Sequence, residues 1–138
     1  MKIFKNLSIA LMASAFLLSA CTDTKKQEKD ALNEVIKVHD EAMAKSEQAI
    51  KNKMLLDSMG KANTPLQKTD INTIISNLTT TDKAMEDWMH QFNADYTGKT
   101  HEEVMQYLAD QKKKVRQVNN QLAAAVNQSN QFIAIHQK

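Results

Sequence analysis

The chain of 138 residues is poor in the residues that interrupt helices and in those that staple small domains: one cysteine, one proline, two glycines, and 5% aromatics. One cysteine excludes an intrachain disulfide and a multi-thiolate zinc site. Scarce glycine leaves no Gly-rich phosphate loop and no nucleophile elbow, and no H-E-x-x-H is present. The chain also lacks a long apolar run. Its longest, Leu7 to Leu18 (LSIALMASAFLL), is too short to span a bilayer. Nor is there an excess of one charge once the first twenty residues are set aside. Lys2 and Lys5 go with them, leaving sixteen basic against sixteen acidic residues. Electrostatic binding of nucleic acid is therefore not expected.

What is present begins at the N-terminus. A short basic start, the apolar run and the sequence Leu18-Ser19-Ala20-Cys21 together resemble a bacterial lipoprotein signal with its lipobox. The resemblance implies removal of residues 1–20 and lipidation of Cys21, which anchors the protein to a membrane and leaves no free thiol as a nucleophile. Two or more acyl chains make such an anchor stable, at about 0.8 kcal/mol per buried methylene. Thr22 stands where an Asp would retain an enterobacteria-like lipoprotein in the inner membrane, so the outer membrane is the expected location where the host has one. Residues 21–29, polar and without apolar periodicity, read as a tether, and 30–138 as one domain.

The domain reads as all-α: an up-down-up antiparallel three-helix bundle with a long, coiled-coil-like third helix. A first helix from about Asp30 to Met59 carries a stripe of Leu32, Ile36, His39, Met43, Ser46, Ile50 and Met54. Gly60 to Pro65 breaks it. A second helix from about Asp70 to Phe92 carries Ile71, Ile74, Ile75, Leu78, Met85, Met89 and Phe92, with Trp88 at the edge. After a second break at residues 93–98, Thr100-His101-Glu102-Glu103 matches a capping box. A seven-residue repeat follows, with one seam at His101, Leu108, Val115, Leu122, Ser129 and His136. The other seam is Val104, Gln111, Val118, Ala125 and Phe132.

HDEAM (residues 39–43) and HEEVM (101–105) each set an imidazole and a thioether four residues apart. In an antiparallel hairpin turning between Met59 and Asp70, positions whose numbers add to about 129 are level. Around the second turn the corresponding value is about 194. This levelling gathers His39, Met43, Met85, Met89, His101 and Met105 at one end. Core packing is the leading use of these residues; imidazole and thioether donors also suit Cu(I), so copper is the candidate metal of the alternative reading. Asp82 falls inside its stripe, level with Lys112, Ser46 and Lys51. A register-fixing ion pair between Asp82 and Lys112 is expected. The run Lys112-Lys113-Lys114-Arg116 reads as a solvated face.

His39-Asp40-Glu41-Ala42-Met43, and Met85-Glu86-Asp87-Trp88-Met89 with Phe92 three residues on, followed by a Lys-rich third helix, resemble small helical lipoproteins of Bacteroidota. Some of these carry the label "viral A-type inclusion protein" for their coiled-coil likeness. The resemblance covers most of the mature chain and implies the helical fold and the membrane tether, with no catalytic residues to carry over. No enzyme is expected. The expected roles are a non-enzymatic interaction or envelope-structure module with a protein partner, soft-metal binding, or a holdase-like periplasmic chaperone.

Overall fold

A computed structural model describes the backbone of residues 3–62 and 65–136, and the side chains of 23–61 and 67–136. It is all helix: α1 (Ile3–Ala62), α2 (Pro65–Gln91) and α3 (His101–His136). They form the expected up-down-up bundle. Among the described residues no helix is long and apolar enough to cross a membrane. The expected signal peptide and lipidation at Cys21 fall on residues 1–22, whose side chains lie outside the described ones.

The expected tether is helical instead. Residues 23–30 continue α1 without a break, carrying Lys26–Asp30 and Gln27–Asp23 contacts one turn apart, at 2.9 and 3.2 Å. No Gly or Pro interrupts the chain there, so nothing stops the helix. Glu28 already belongs to the bundle, since its carboxylate meets His101 Nδ1 at 2.8 Å. Even counted from Cys21, α1 outruns α3. Gly60 is helical, and Pro65 opens α2, where its missing N–H costs nothing.

The dominant interface is between the parallel helices α1 and α3. Cross-helix contacts climb it at a nearly constant separation in sequence: Glu28–His101 (73 residues), Lys112–Glu34 (78), Lys45–Asn119 (74) and Asn52–Ser129 (77). α1 lines this interface with Val35, Ala42, Ala49 and Leu56, all fully buried. These positions repeat every seven residues, in phase with Leu108, Val115, Leu122 and Ser129 on α3, each no more than 1% exposed. A strict heptad on both partners keeps one seam facing the other along the whole contact. The α1 stripe read from the sequence is therefore rotated by one residue. Leu32 is half-buried against the core, but Ile36, Met43, Ile50 and Met54 are 44, 38, 49 and 70% exposed. Small Ala42 and Ala49 take the inner positions because they let two helix backbones approach closely.

On α3 the first expected seam is buried from Leu108 to Ser129, and the second drifts. Val118 and Phe132 are half-buried, while Asn119, Val126 and Ile133 are buried beside them. Two neighbours explain the widening, since α3 packs on both α1 and α2. The capping box forms as expected. Glu103 N donates to Thr100 Oγ1 at 3.3 Å, and Thr100 N donates to Glu103 Oε2 at 2.8 Å.

Candidate functional site

The α1–α2 level is as the sequence indicated: His39 lies beside Trp88 and Met89, and Ser46 donates to Asp82. The α2–α3 level is not. Trp88 Nε1 donates to Gln111 Oε1 at 3.0 Å, and Asn93 N donates to the Tyr107 hydroxyl at 2.8 Å. Met89 is thus set far from Met105, and Asn93 far from the level of His101. The cause is the connection 92–100, which does not turn back on the spot. Phe92 and Tyr96 pack on Tyr107, with ring centroids 6.1 Å away in both cases, so the segment runs along α3 before reversing. Asp95 Oδ1 accepts from both the N–H and the hydroxyl of Thr97, which holds the carboxyl below the usual aspartate range. Gly98 completes the reversal at φ 78°, a conformation that favours glycine.

This offset parts His101 and Met105 from the other four expected metal ligands. His39 and Met89 meet at 3.3 Å between Nε2 and Sδ. Met43 is on the exposed side of α1, and Met85 is in the core at 1% exposure. His101 goes to Glu28, and Met105 lines a shallow surface with Gln27, Asp30, Ala31, Asn33 and Glu34, on the α1–α3 side of the bundle. The expected Asp82–Lys112 pair does not form. Lys112 reaches Glu34 at 3.1 Å, and its ammonium, by hydrogen bond and charge, holds that carboxyl below the usual glutamate range. Asp82 is satisfied by the Ser46 hydroxyl, a smaller partner on the level the sequence did anticipate. Among the described residues no three of His, Cys, Asp and Glu gather around one point.

Two features remain as candidate sites. The first is the exposed stripe of α1. Ile36, Met43 and Ile50 are seven residues apart, Met54 extends them, and Met89 of α2 is 39% exposed across the groove. His39 and Ser46, which face α2, lie between this stripe and the core seam. The five side chains leave roughly 400 Å² of apolar surface open, a size at which a patch on a monomer is often functional. Asp40 and Glu47 border it on the side away from α2, each with 70% of its side chain exposed.

The second is a niche under the same face, a pocket of about 330 Å³ lined by Val35, Ile36, His39, Asp40, Trp88, Met89 and Phe92. Trp88 is 8% exposed and stacks on Phe92 with centroids 5.1 Å apart. The His39 ring lies 5.8 Å from the indole, and its Nδ1 meets Asp40 Oδ1 at 3.0 Å. HDEAM alone signalled part of this niche; Asp40 as the partner of His39 was legible only as a neighbour in sequence.

Comparison with protein-family models, with curated proteins and with solved structures gives no match.

Proposed function

We propose that this is a lipid-anchored, non-enzymatic protein of the cell envelope whose α1 face docks an amphipathic helix of a partner protein. The observation that carries the reading is the open stripe of Ile36, Met43, Ile50 and Met54 beside a core that is already complete without them. A seven-residue spacing is what a facing helix needs to seat its own apolar seam. Asp40 and Glu47 along the rim, the latter bridged to Lys51 at 2.7 Å yet 70% exposed, favour a helix whose seam is flanked by Lys or Arg.

The basis for the anchor is the leader ending in Leu18-Ser19-Ala20-Cys21. The outer membrane, from Thr22, is the location proposed for hosts that have one. The test uses the full chain and two synthetic amphipathic helices with leucine seams, one flanked by lysines and one by glutamates. Fluorescence anisotropy is expected to show the Lys-flanked helix binding more tightly, with affinity falling in salt and in the Ile36→Ser, Ile50→Ser double variant. Equal binding of both helices would instead mark a holdase-like surface indifferent to charge. Concentration-dependent dimerisation of the chain through this stripe would likewise overturn the proposal.

A further inference from the structure

We propose that His39, Met43 and Met89 form a binding site for one soft monovalent cation, Cu(I) or its redox-inert analogue Ag(I). The argument starts from the His39 ring. Its Nδ1 lies 3.0 Å from Asp40 Oδ1, and a carboxylate can only accept, so Nδ1 carries the proton. In the neutral ring Nε2 then presents a lone pair, and it presents it to a thioether, Met89 Sδ, 3.3 Å away. A thioether has no proton to give. Two lone-pair donors face one another, and a cation bridging them satisfies both.

The distance fits a shared ion. With metal–nitrogen and metal–sulfur bonds of about 2.0 and 2.3 Å, a 3.3 Å separation corresponds to an angle at the metal of about 100°. That angle is ordinary for a three- or four-coordinate d¹⁰ ion. Met43 supplies the third donor. It follows His39 by one helical turn, where residues four apart are neighbours. Its 38% exposure leaves its thioether free of the core.

The surroundings select the ion. One nitrogen and two thioethers form a soft, uncharged donor set, which suits Cu(I) over Zn(II). Val35, Trp88 and Phe92 supply an apolar wall that penalises a divalent charge more than a monovalent one. Asp40 orients the ring through the nitrogen opposite the metal, the usual role of a carboxylate behind a metal-binding histidine. The site shares Met43 and Met89 with the docking face, and leucine in place of either keeps the apolar face while removing the donor, so failure of one reading is distinguishable from failure of the other.

Trp88 is the only tryptophan of the chain, and its ring is 5.8 Å from His39, so its fluorescence reports this site alone. The experiment titrates the full chain with Cu(I) under anaerobic conditions against a competing chelator, and with Zn(II) in parallel. Every arm carries Cys21→Ser so that the one thiol does not compete. The expected result is saturable quenching at one Cu(I) per chain. His39→Ala and Met89→Leu should each weaken binding by more than about tenfold, and Asp40→Asn by about tenfold. His101→Ala and Met105→Leu, on the α1–α3 side, should leave it unchanged. Met89→Leu is the variant least able to act through misfolding. Absence of saturable quenching, equal affinity for Zn(II), or equal losses in the His101 and Met105 variants would overturn the proposal.

Discussion

Asn52→Ala should cost this bundle more than its surface-polar chemistry suggests, because Asn52 is a buried junction between α1 and α3. It is 2% exposed. Its amide nitrogen donates to Ser129 Oγ at 2.6 Å and to Asn130 Oδ1 at 2.7 Å, while its oxygen accepts from Gln48 Nε2 at 2.8 Å. Ser129, fully buried, passes its own proton to Val126 O at 2.8 Å. Every polar atom in the chain of contacts is therefore used. After truncation Gln48 and Asn130 can turn to water, but the Ser129 oxygen loses its donor in a dry place. Two or three bonds at about 1 kcal/mol net each, part of them recovered from solvent, give a loss of about 2 kcal/mol. At about 4 °C per kcal/mol for a domain of this size, Tm falls by about 8 °C. Urea unfolding followed by far-UV circular dichroism measures it, with the exposed Asn120→Ala as control. A double-mutant cycle with Ser129→Ala should return a coupling of about 1 kcal/mol. An Asn52→Ala midpoint no lower than that of the control, or a coupling of zero, would refute the reasoning.

Thr100→Ala removes the hydroxyl that accepts from Glu103 N, and should destabilise by about 1 kcal/mol in the same unfolding assay. Tyr96→Phe should be neutral or slightly stabilising, by at most about 1 kcal/mol, because the Tyr96 hydroxyl is buried with no hydrogen-bond partner among the described residues. Burial raises the Tyr96 phenol above the usual tyrosine range, with Tyr107 and Glu28 adding to it. Folding therefore weakens in the parent as pH rises past the unfolded tyrosine range, and Tyr96→Phe should lessen that loss. Glu34 should titrate below the usual glutamate range by carboxyl NMR, and Lys112→Met should return it to that range. Its folded pKa is lowered, so the pair's contribution is present above the unfolded glutamate range. It is lost as pH falls through the depressed value.

Legibility differs from helix to helix for physical reasons. The α3 start is readable because a capping box is local: Thr100 and Glu103 satisfy one another whatever packs above them. The Leu108–Ser129 seam is readable because apolar bulk and burial coincide there. On α1 they do not. Val35, Ala42 and Ala49 go inside and Ile36, Met43 and Ile50 stay out, so a reading that follows side-chain volume lands one residue away. The tether escapes a reading by composition because polar residues do not stop a helix that has no breaker and finds a partner such as His101. The gathering of six His and Met residues loses Met85 to the core, and it loses His101 and Met105 at the 92–100 connection. Its path along Tyr107 depends on aromatic contacts that no spacing rule encodes. His39 and Met89 stay together because the α1–α2 level does not depend on that segment.

The central claim, that the exposed stripe of α1 is a docking face, is tested most directly by a photo-crosslinking side chain placed at Ile50 in the full chain expressed in cells, with exposed Gln117 on α3 as the control. The account predicts one discrete heterologous adduct from position 50 and none from 117. Its crosslinked peptide should form an amphipathic helix flanked by Lys or Arg, and Glu47→Lys should suppress it. No adduct from position 50, an adduct with a second copy of the chain, or the same products from both positions would contradict it.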